Sequence, residues 1–371
     1  MVRRTLALSG LLLALATSAY QAHAKTFTSK LHSFTAEVLT DQLDGPWGLA
    51  FLPGGGVLIT EQDGALRRYE AGKLSRPLSG VPKVKASGQG GLLDIAIDPD
   101  FAQNAHVYLT YSEPGPGGAG TALARGTLAE GGLQDTKVIF RQNKKSGGTR
   151  HFGSRIAFAP DGTLFFTIGD RGSPDRAQDS RDHAGSVLRI NRDGSVPPDN
   201  PFADGQNGLP EIWSTGHRNS QGIAVHPESG RIWTVSHGAR GGDEVNTPEA
   251  GKNYGWPVIS YGRHYSGGKI GEGTTKAGME QPLHYWDPSI APSSMTFYSG
   301  SLFPMWKGDV FVSALAGRKI VRLDLEGDKI VSEEALLEGA FGRFRRIAQG
   351  PDGALYALTD GGALLRLAPV K

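Results

Sequence analysis

The sequence predicts an all-β fold and, within that class, a six-bladed β-propeller. Three observations lead there. Glycine is abundant, 53 of 371 residues, while apolar residues at helical spacing are scarce, a balance that suits many short strands joined by tight turns. A hairpin-like unit recurs six times at irregular intervals. The copies run from residue 46 to residue 367, and no shift in composition between them marks a domain boundary. A unit that cannot bury both faces alone must stack on its neighbours, and six such units close a ring. A β-sandwich would not account for six similar hairpins.

The elements follow in order. Residues 1–24, MVRRTLALSGLLLALATSAYQAHA, begin with two arginines, continue with an apolar run from Leu6 to about Ala16, and end in small residues at Ala22-His23-Ala24. That three-part pattern predicts a secretory signal peptide cleaved after about Ala24, because the apolar run is short for a bilayer span. Residues 25–371 are then one propeller domain of a periplasmic or secreted protein. No later run reaches 18 apolar residues, so no stable membrane insertion is expected. The strand FTAEVLTDQL (34–43) is expected to complete the last blade and close the ring.

The six repeats are PWGLAFLPGGGVLITEQDGALRRYEAGK (46–73), GLLDIAIDPDFAQNAHVYLTYSE (91–113), SRIAFAPDGTLFFTIGDRG (154–172), QGIAVHPESGRIWTVSHGARGG (221–242), SSMTFYSGSLFPMWKGDVFVSALAGRKIVRLDL (293–325) and RRIAQGPDGALYALTDGGALLRL (345–367). Each joins an alternating apolar strand to a second β-rich strand through a turn, often Pro-Asp-Gly or Pro-Gly-Gly. The polar, glycine-rich stretch from Gly262 to Gln281 reads as an inserted rim loop of the kind that carries function.

The chain has no cysteine, which excludes a thiol nucleophile, an iron–sulfur cluster and a thiolate zinc site. A net charge of +2 with scattered Lys and Arg excludes a nucleic-acid stripe. His217, His237 and His264 show no HxH or HxxxH pairing, which argues against a transition-metal centre.

Polar residues cluster at equivalent places beside the repeats: Gln89 before the second, His151 before the third, His217-Arg218-Asn219 before the fourth, and Arg343, Arg345 and Arg346 before the sixth. Equivalent positions in successive blades point at one axis. Arg343 and Arg345 are two apart and share a face in an extended segment. With Arg218, and with Arg318 of ALAGRK, they make a positive site suited to a polyanion, since no acidic run accompanies them. Read singly, each could equally be a surface arginine paired with an acid. Asp243 and Glu244 beside glycine-rich backbone suit a hard cation such as Ca²⁺, or an ordinary turn. His151 is either a strand-edge residue or a general base. Asp170, at the end of TIGD, is either a turn residue or the partner that fixes the His151 tautomer once the hairpin folds back.

Taken together, GQGGLLDIAIDPDF, HFGSRIAFAPDGTLFFTIGD, GHRNSQGIAVHP, GDEVN…GKNYGWP, APSSMTFY and RFRRIAQGPDGALYALTD resemble the soluble quinoprotein glucose/sorbosone dehydrogenases, most nearly their periplasmic aldose sugar dehydrogenase branch. The likeness runs in order through all six repeats. It implies pyrroloquinoline quinone (PQQ) at the top of the channel, Ca²⁺ against it, an aldose sugar as substrate, and an electron acceptor that the likeness does not specify. It implies that His151 is the base for the sugar's C1 hydroxyl and that Asp170 orients it. Gln89, Arg218, Asn219, Arg343, Phe344 and Arg345 would contact the cofactor or substrate, with Tyr265 and Ala316, Gly317 and Arg318 as further cofactor contacts. The backbone at Gly238 and Ala239 would ligate the calcium at the quinone, and Glu244 with the Tyr254 backbone a second one.

Three positions depart from the glucose dehydrogenase branch. Arg150 stands where that branch has an aspartate before the histidine. SALAGRK lacks its lysine in register, leaving Arg318 or Lys319 to substitute. Ala239 replaces a proline beside the calcium. Two other functions remain to be compared: a metal-dependent lactonase, which needs acidic and Asn ligands on the axis, and a non-catalytic sugar-binding propeller.

Overall fold

The computed structural model describes residues 24–370; the expected leader, except for Ala24, lies outside the described residues. Six antiparallel sheets form the six blades. Their innermost strands are Pro46–Phe51, Leu92–Ile97, Ile156–Phe158, Ser220–Val225, Pro292–Phe297 and Phe344–Gln349, for blades 1 to 6. Every predicted repeat supplies the inner hairpin of one blade. Ser33–Thr40 pairs with Leu364–Pro369 in blade 6, and Lys25–Thr28 adds an outermost strand to it, so both ends of the chain meet in one sheet. The ring is closed by hydrogen bonds as well as by packing.

The alternation of apolar residues explains the stacking. Each junction between neighbouring blades holds its own buried cluster. Leu58, Leu92 and Leu109 fill the junction of blades 1 and 2, Tyr108, Ile156 and Phe166 that of 2 and 3, and Phe165, Val187 and Ile223 that of 3 and 4. Trp233 and Met295 fill the junction of blades 4 and 5, Phe311 and Phe344 that of 5 and 6, and Leu358 and Ile59 close the ring at 6 and 1. The core is six sheet-to-sheet interfaces rather than one centre.

Five of the six inner strands carry an irregularity at the same place, between Pro46 and Leu49, Leu92 and Ile95, Ser220 and Gly222, Pro292 and Ser294, and Phe344 and Arg346. A bulge releases backbone groups from the ladder and re-aims side chains. Here it turns them to the channel. The inserted loop lies between Asp243–Asn246 and His284–Trp286 of blade 4. It packs through Trp256 and Ile270 on Ala177 and Ala239.

Candidate active site

His151 and Asp170 flank the inner hairpin of blade 3, and folding that hairpin brings them together. His151 has φ +57° and Gly153 φ +62°. The segment then passes so close to Gly169 that a Cβ there would lie 2.4 Å from the His151 carbonyl oxygen and 2.7 Å from Asn219 Oδ1. Only glycine permits that approach. Asp170 Oδ1 lies 2.6 Å from His151 Nδ1 and also accepts from the Gly172 N–H (2.7 Å). Its Oδ2 accepts from Trp256 Nε1 (2.9 Å). The Asp170 N–H donates to the Arg218 carbonyl (2.8 Å), tying blade 3 to blade 4.

The electrostatics assign the protons. Burial alone would raise the Asp170 carboxyl. The hydrogen bond and charge of His151, the Gly172 N–H and Arg218 outweigh it and hold the group below the usual carboxylate range. Burial pulls His151 below 6.5; the bond to Asp170 opposes this, while Arg218 and Arg150 add to it. An ionised Asp170 accepts the Nδ1–H, which leaves Nε2 of a neutral ring as the proton acceptor.

The neighbouring predicted residues lock this pair. Gln89 Oε1 accepts from the His151 N–H (2.7 Å), and Asn219 Oδ1 accepts from the Gly153 N–H (3.1 Å). Both line a cavity of about 160 Å³ at the channel mouth, with Trp47, Gln221, His237, Arg343 and Arg345. A larger cavity of about 580 Å³ lies around Pro160 and Gly230, at the turns opposite His151 and Asp170, and holds none of the predicted residues. The smaller one is the candidate site.

Arg218 is buried, donates to the His237 carbonyl (3.3 Å) and lies 5.2 Å from the Trp256 ring centre. Among the described residues no ion pair joins it to a carboxylate. The expected arginine pair is different. Asp360 accepts from Arg343 Nε (2.8 Å) and from Arg345 Nε (2.9 Å), so one acid from the end of the next strand halves the charge of the two. The sequence shows no acidic run because this acid is single and supplied by the hairpin's return strand.

Six expected cofactor contacts do not line the cavity: Arg218, described above, and Phe344, Tyr265, Ala316, Gly317 and Arg318. The Phe344 side chain is buried in the junction of blades 5 and 6, on the face opposite its arginine neighbours, and its carbonyl accepts from Ser293 Oγ (2.6 Å). Tyr265 stands 72 % exposed on the inserted loop. Ala316 and Arg318 are exposed in a turn, where Gly317 donates to the Ile290 carbonyl (2.9 Å) and Leu315 is the residue that lines the cavity. Lys319 lies 3.6 Å from Glu338.

The expected calcium residues form no carboxylate cage: among the described residues no three His, Asp or Glu side chains gather as a metal site. Asp243 is occupied by donors from Gly238 N, Ser289 Oγ, Ile290 N and Ala291 N. It braces the turn rather than facing a cation. That turn is so tight that a Cβ built on Gly238 would lie 2.1 Å from the Gly241 oxygen, and Ala239 bridges to Gly241 across it. Backbone carbonyls on a glycine-tight turn, with no described donor on that of Gly238, fit a hard cation. Glu244 accepts from Asn246 Nδ2 (3.0 Å) and is pushed up to about 7 by burial, with Asp243 adding to it; Asn246 Oδ1 is buried without a partner. Tyr254 stacks on His217 (4.8 Å), and its N–H donates to the Thr215 carbonyl (2.9 Å).

Sequence reasoning missed Trp256, Asp360 and the pocket role of His237. His237 is buried, held neutral, and its Nε2 has no partner among the described residues. An unpartnered imidazole, two guanidiniums, the four amide residues Gln62, Gln89, Asn219 and Gln221, and one indole line the same space. These donors fit a flat polycarboxylate such as PQQ.

The family model for "Glucose / Sorbosone dehydrogenase" matches residues 43–366. Fold, site and match define the class, an oxidoreductase acting on the CH–OH group of sugars. The chain belongs to the glucose/sorbosone dehydrogenase family. It is 46 % identical over 342 residues to the aldose sugar dehydrogenase YliI of Escherichia coli K12, covering 90 % of this chain and 92 % of that one. The apo-form crystal structure of the soluble aldose sugar dehydrogenase from E. coli superposes with a TM-score of 0.89 at 45 % identity, over 91 % of this chain and 100 % of that one. The PQQ-bound aldose sugar dehydrogenase of Streptomyces coelicolor gives 0.76 at 30 % identity, over 90 % and 98 %.

Proposed function

We propose that this protein is a PQQ- and calcium-dependent dehydrogenase that oxidises the C1 hydroxyl of aldose sugars to lactones. The observation that carries the reading is the chain Trp256–Asp170–His151, which commits Nδ1 of a neutral imidazole to Asp170, on a loop that the cavity-lining Gln89 holds through the His151 N–H. Membership of the family and the PQQ-bound relative support it. When bound, PQQ polarised by Ca²⁺ supplies the two-electron acceptor for the hydrogen on C1.

The residues of this chain do the rest. His151 Nε2 takes the proton from the C1 hydroxyl as the carbon–oxygen double bond forms. Asp170 stabilises the imidazolium that results, and the Trp256 and Gly172 N–H groups keep Asp170 ionised and oriented. Arg345, Arg343 and Arg218 supply positive charge for the cofactor's carboxylates. Asn219 and Gln89, with one amide oxygen each on the His151 loop, keep their amide N–H groups for the ligand. The carbonyls of Gly238 and Ala239 would hold the cation. A second cation would take Glu244, with Asn246 Oδ1 as a further donor.

The cavity is lined by arginines, amides and histidine and by no acid among the described residues, which weighs against a lactonase. A non-catalytic sugar binder would have no need of the His151–Asp170 pair. The leader of residues 1–24 supports export to the periplasm or medium, and the electron acceptor is a separate partner.

The test is dye reduction by the purified protein with PQQ and Ca²⁺ on glucose, xylose, galactose and maltose. A protein that turns over none of these aldoses and binds no PQQ would refute the proposal. Arg345→Met is expected to weaken PQQ affinity by roughly 1.5–3 kcal/mol, the value of a charge-assisted contact, measured by titrating PQQ into the apoprotein. Arg343, half exposed and sharing Asp360, is expected to matter less.

A further inference from the structure

Arg155 ends the motif that begins at His151, and the chemistry above does not use it. Its side chain is fully buried, and it contacts the inner strand of every other blade. Nη1 donates to Asp94 Oδ1 of blade 2 (2.9 Å) and to the Trp47 carbonyl of blade 1 (3.2 Å). Nε donates to the Gln221 carbonyl of blade 4 (2.9 Å). Nη2 donates to the carbonyls of Ser293 in blade 5 (2.9 Å) and Arg345 in blade 6 (2.8 Å). The guanidinium carbon lies 3.8 Å from the Trp47 ring centre. A group that touches five inner strands from the sixth lies on the channel axis.

The contacts are not arbitrary points on those strands. Trp47, Gln221, Ser293 and Arg345 fall within the irregularities that recur in the inner strands, as does Asp94. Each bulge frees a carbonyl from its ladder, and Arg155 collects four of them on one planar fork. Three of the four residues whose carbonyls accept from Arg155, namely Trp47, Gln221 and Arg345, line the candidate cavity. The floor of the cavity and the axial arginine are therefore one hydrogen-bonded unit. Asp94, also fully buried, balances the charge and steadies the start of the blade 3 strand through the Ile156 N–H (2.9 Å).

We infer that Arg155 is a positioning residue for the cofactor pocket: through the backbone carbonyls of Trp47, Gln221 and Arg345 it sets where those side chains enter the cavity. The inference rests on the reading of that cavity as the PQQ site. An apolar plug could fill the channel and hold the blades by packing, but it could not hold four carbonyls to a common geometry. Lysine carries the same charge on a single point and cannot span carbonyls on opposite sides of the axis.

The experiment compares wild type with Arg155→Lys for PQQ affinity by fluorescence titration, thermal midpoint, and the pH profile of turnover. The lysine variant is expected to remain folded, to bind PQQ about tenfold more weakly or worse, and to keep the acid limb of the profile, because His151 and Asp170 are untouched. A lower thermal midpoint with PQQ affinity within about twofold of wild type would leave Arg155 a purely structural residue and overturn the inference. If the lysine variant does not fold, Arg155→Gln combined with Asp94→Asn removes both buried charges together and is read the same way. Wild type that binds no PQQ overturns the functional proposal itself; wild type that binds, with a variant that binds equally well, overturns only this one.

Discussion

His151→Ala is expected to lower turnover by about 10²–10⁴-fold while PQQ affinity stays within a few-fold of wild type, because the base is lost and the arginines remain. Asp170→Asn should reach a similar loss by a different route. The amide cannot accept from the ring and from Trp256 Nε1 as the carboxylate does, so the Nδ1–H tautomer loses its partner and Nε2 ceases to be a reliable acceptor. Measuring kcat and PQQ affinity for both variants checks the assignment. Retained turnover in His151→Ala removes His151 as the base; retained turnover in Asp170→Asn alone removes the orienting role.

The pH dependence follows from the same geometry. Protonated His151 cannot accept a proton, so activity rises with pH through the His151 pKa. Burial holds that pKa below 6.5, so the midpoint of the acid limb should lie below 6.5. An acid limb centred above 6.5 would contradict the desolvated environment of the ring.

The second large effect is on stability. His217 and His237 are buried and each is pulled down to about 3, by burial above all. Above pH 6.5 both are neutral in the folded and unfolded chains, and their contribution to stability is complete. As pH falls below 6.5 the unfolded chain binds protons that the folded protein refuses, and stability is lost down to about pH 3. The slope is about 1.4 kcal/mol per pH unit for each histidine. Glu244, pushed up to about 7, acts in the opposite sense between pH 7 and its unfolded value of 4.5 and offsets part of the loss. The clean reading is therefore a difference. His217→Gln should flatten the urea-unfolding free energy between pH 6 and pH 5 by about 1.4 kcal/mol relative to wild type. Parallel curves for the two proteins would show that His217 titrates normally in the fold.

Much of the site was legible in the chain. The hairpin that carries His151 at one end and Asp170 at the other had to bring them together if it formed at all. Gln89, Asn219, Arg343 and Arg345 reached the same mouth because blade-equivalent positions share an axis. Phe344 was also readable in principle: strict alternation places it opposite Arg343 and Arg345, and the structure buries it there. The expected inserted loop was placed at Gly262–Gln281, but its working residue is Trp256, just before that stretch. No local pattern distinguishes that indole from a core tryptophan, since its partner lies 86 residues away.

The amino-acid sequence by itself determined the blades, their order, the closure by the strand read at 34–43 (Ser33–Thr40 in the structure) and the His151–Asp170 pairing. The blades and the His151–Asp170 pairing follow from strand alternation, tight turns and contacts between residues near in sequence; the closure follows from the ring's need for a strand to complete its last blade. The tertiary structure alone decided which charges remain free and which are spent. Asp360 cancels one of two arginines, Asp243 braces a turn instead of facing a cation, and Arg155 reaches five other blades. Those outcomes depend on donors and acceptors brought together from distant blades around the axis, and hydrogen-bond partnership at 3 Å is not a periodic property of the chain.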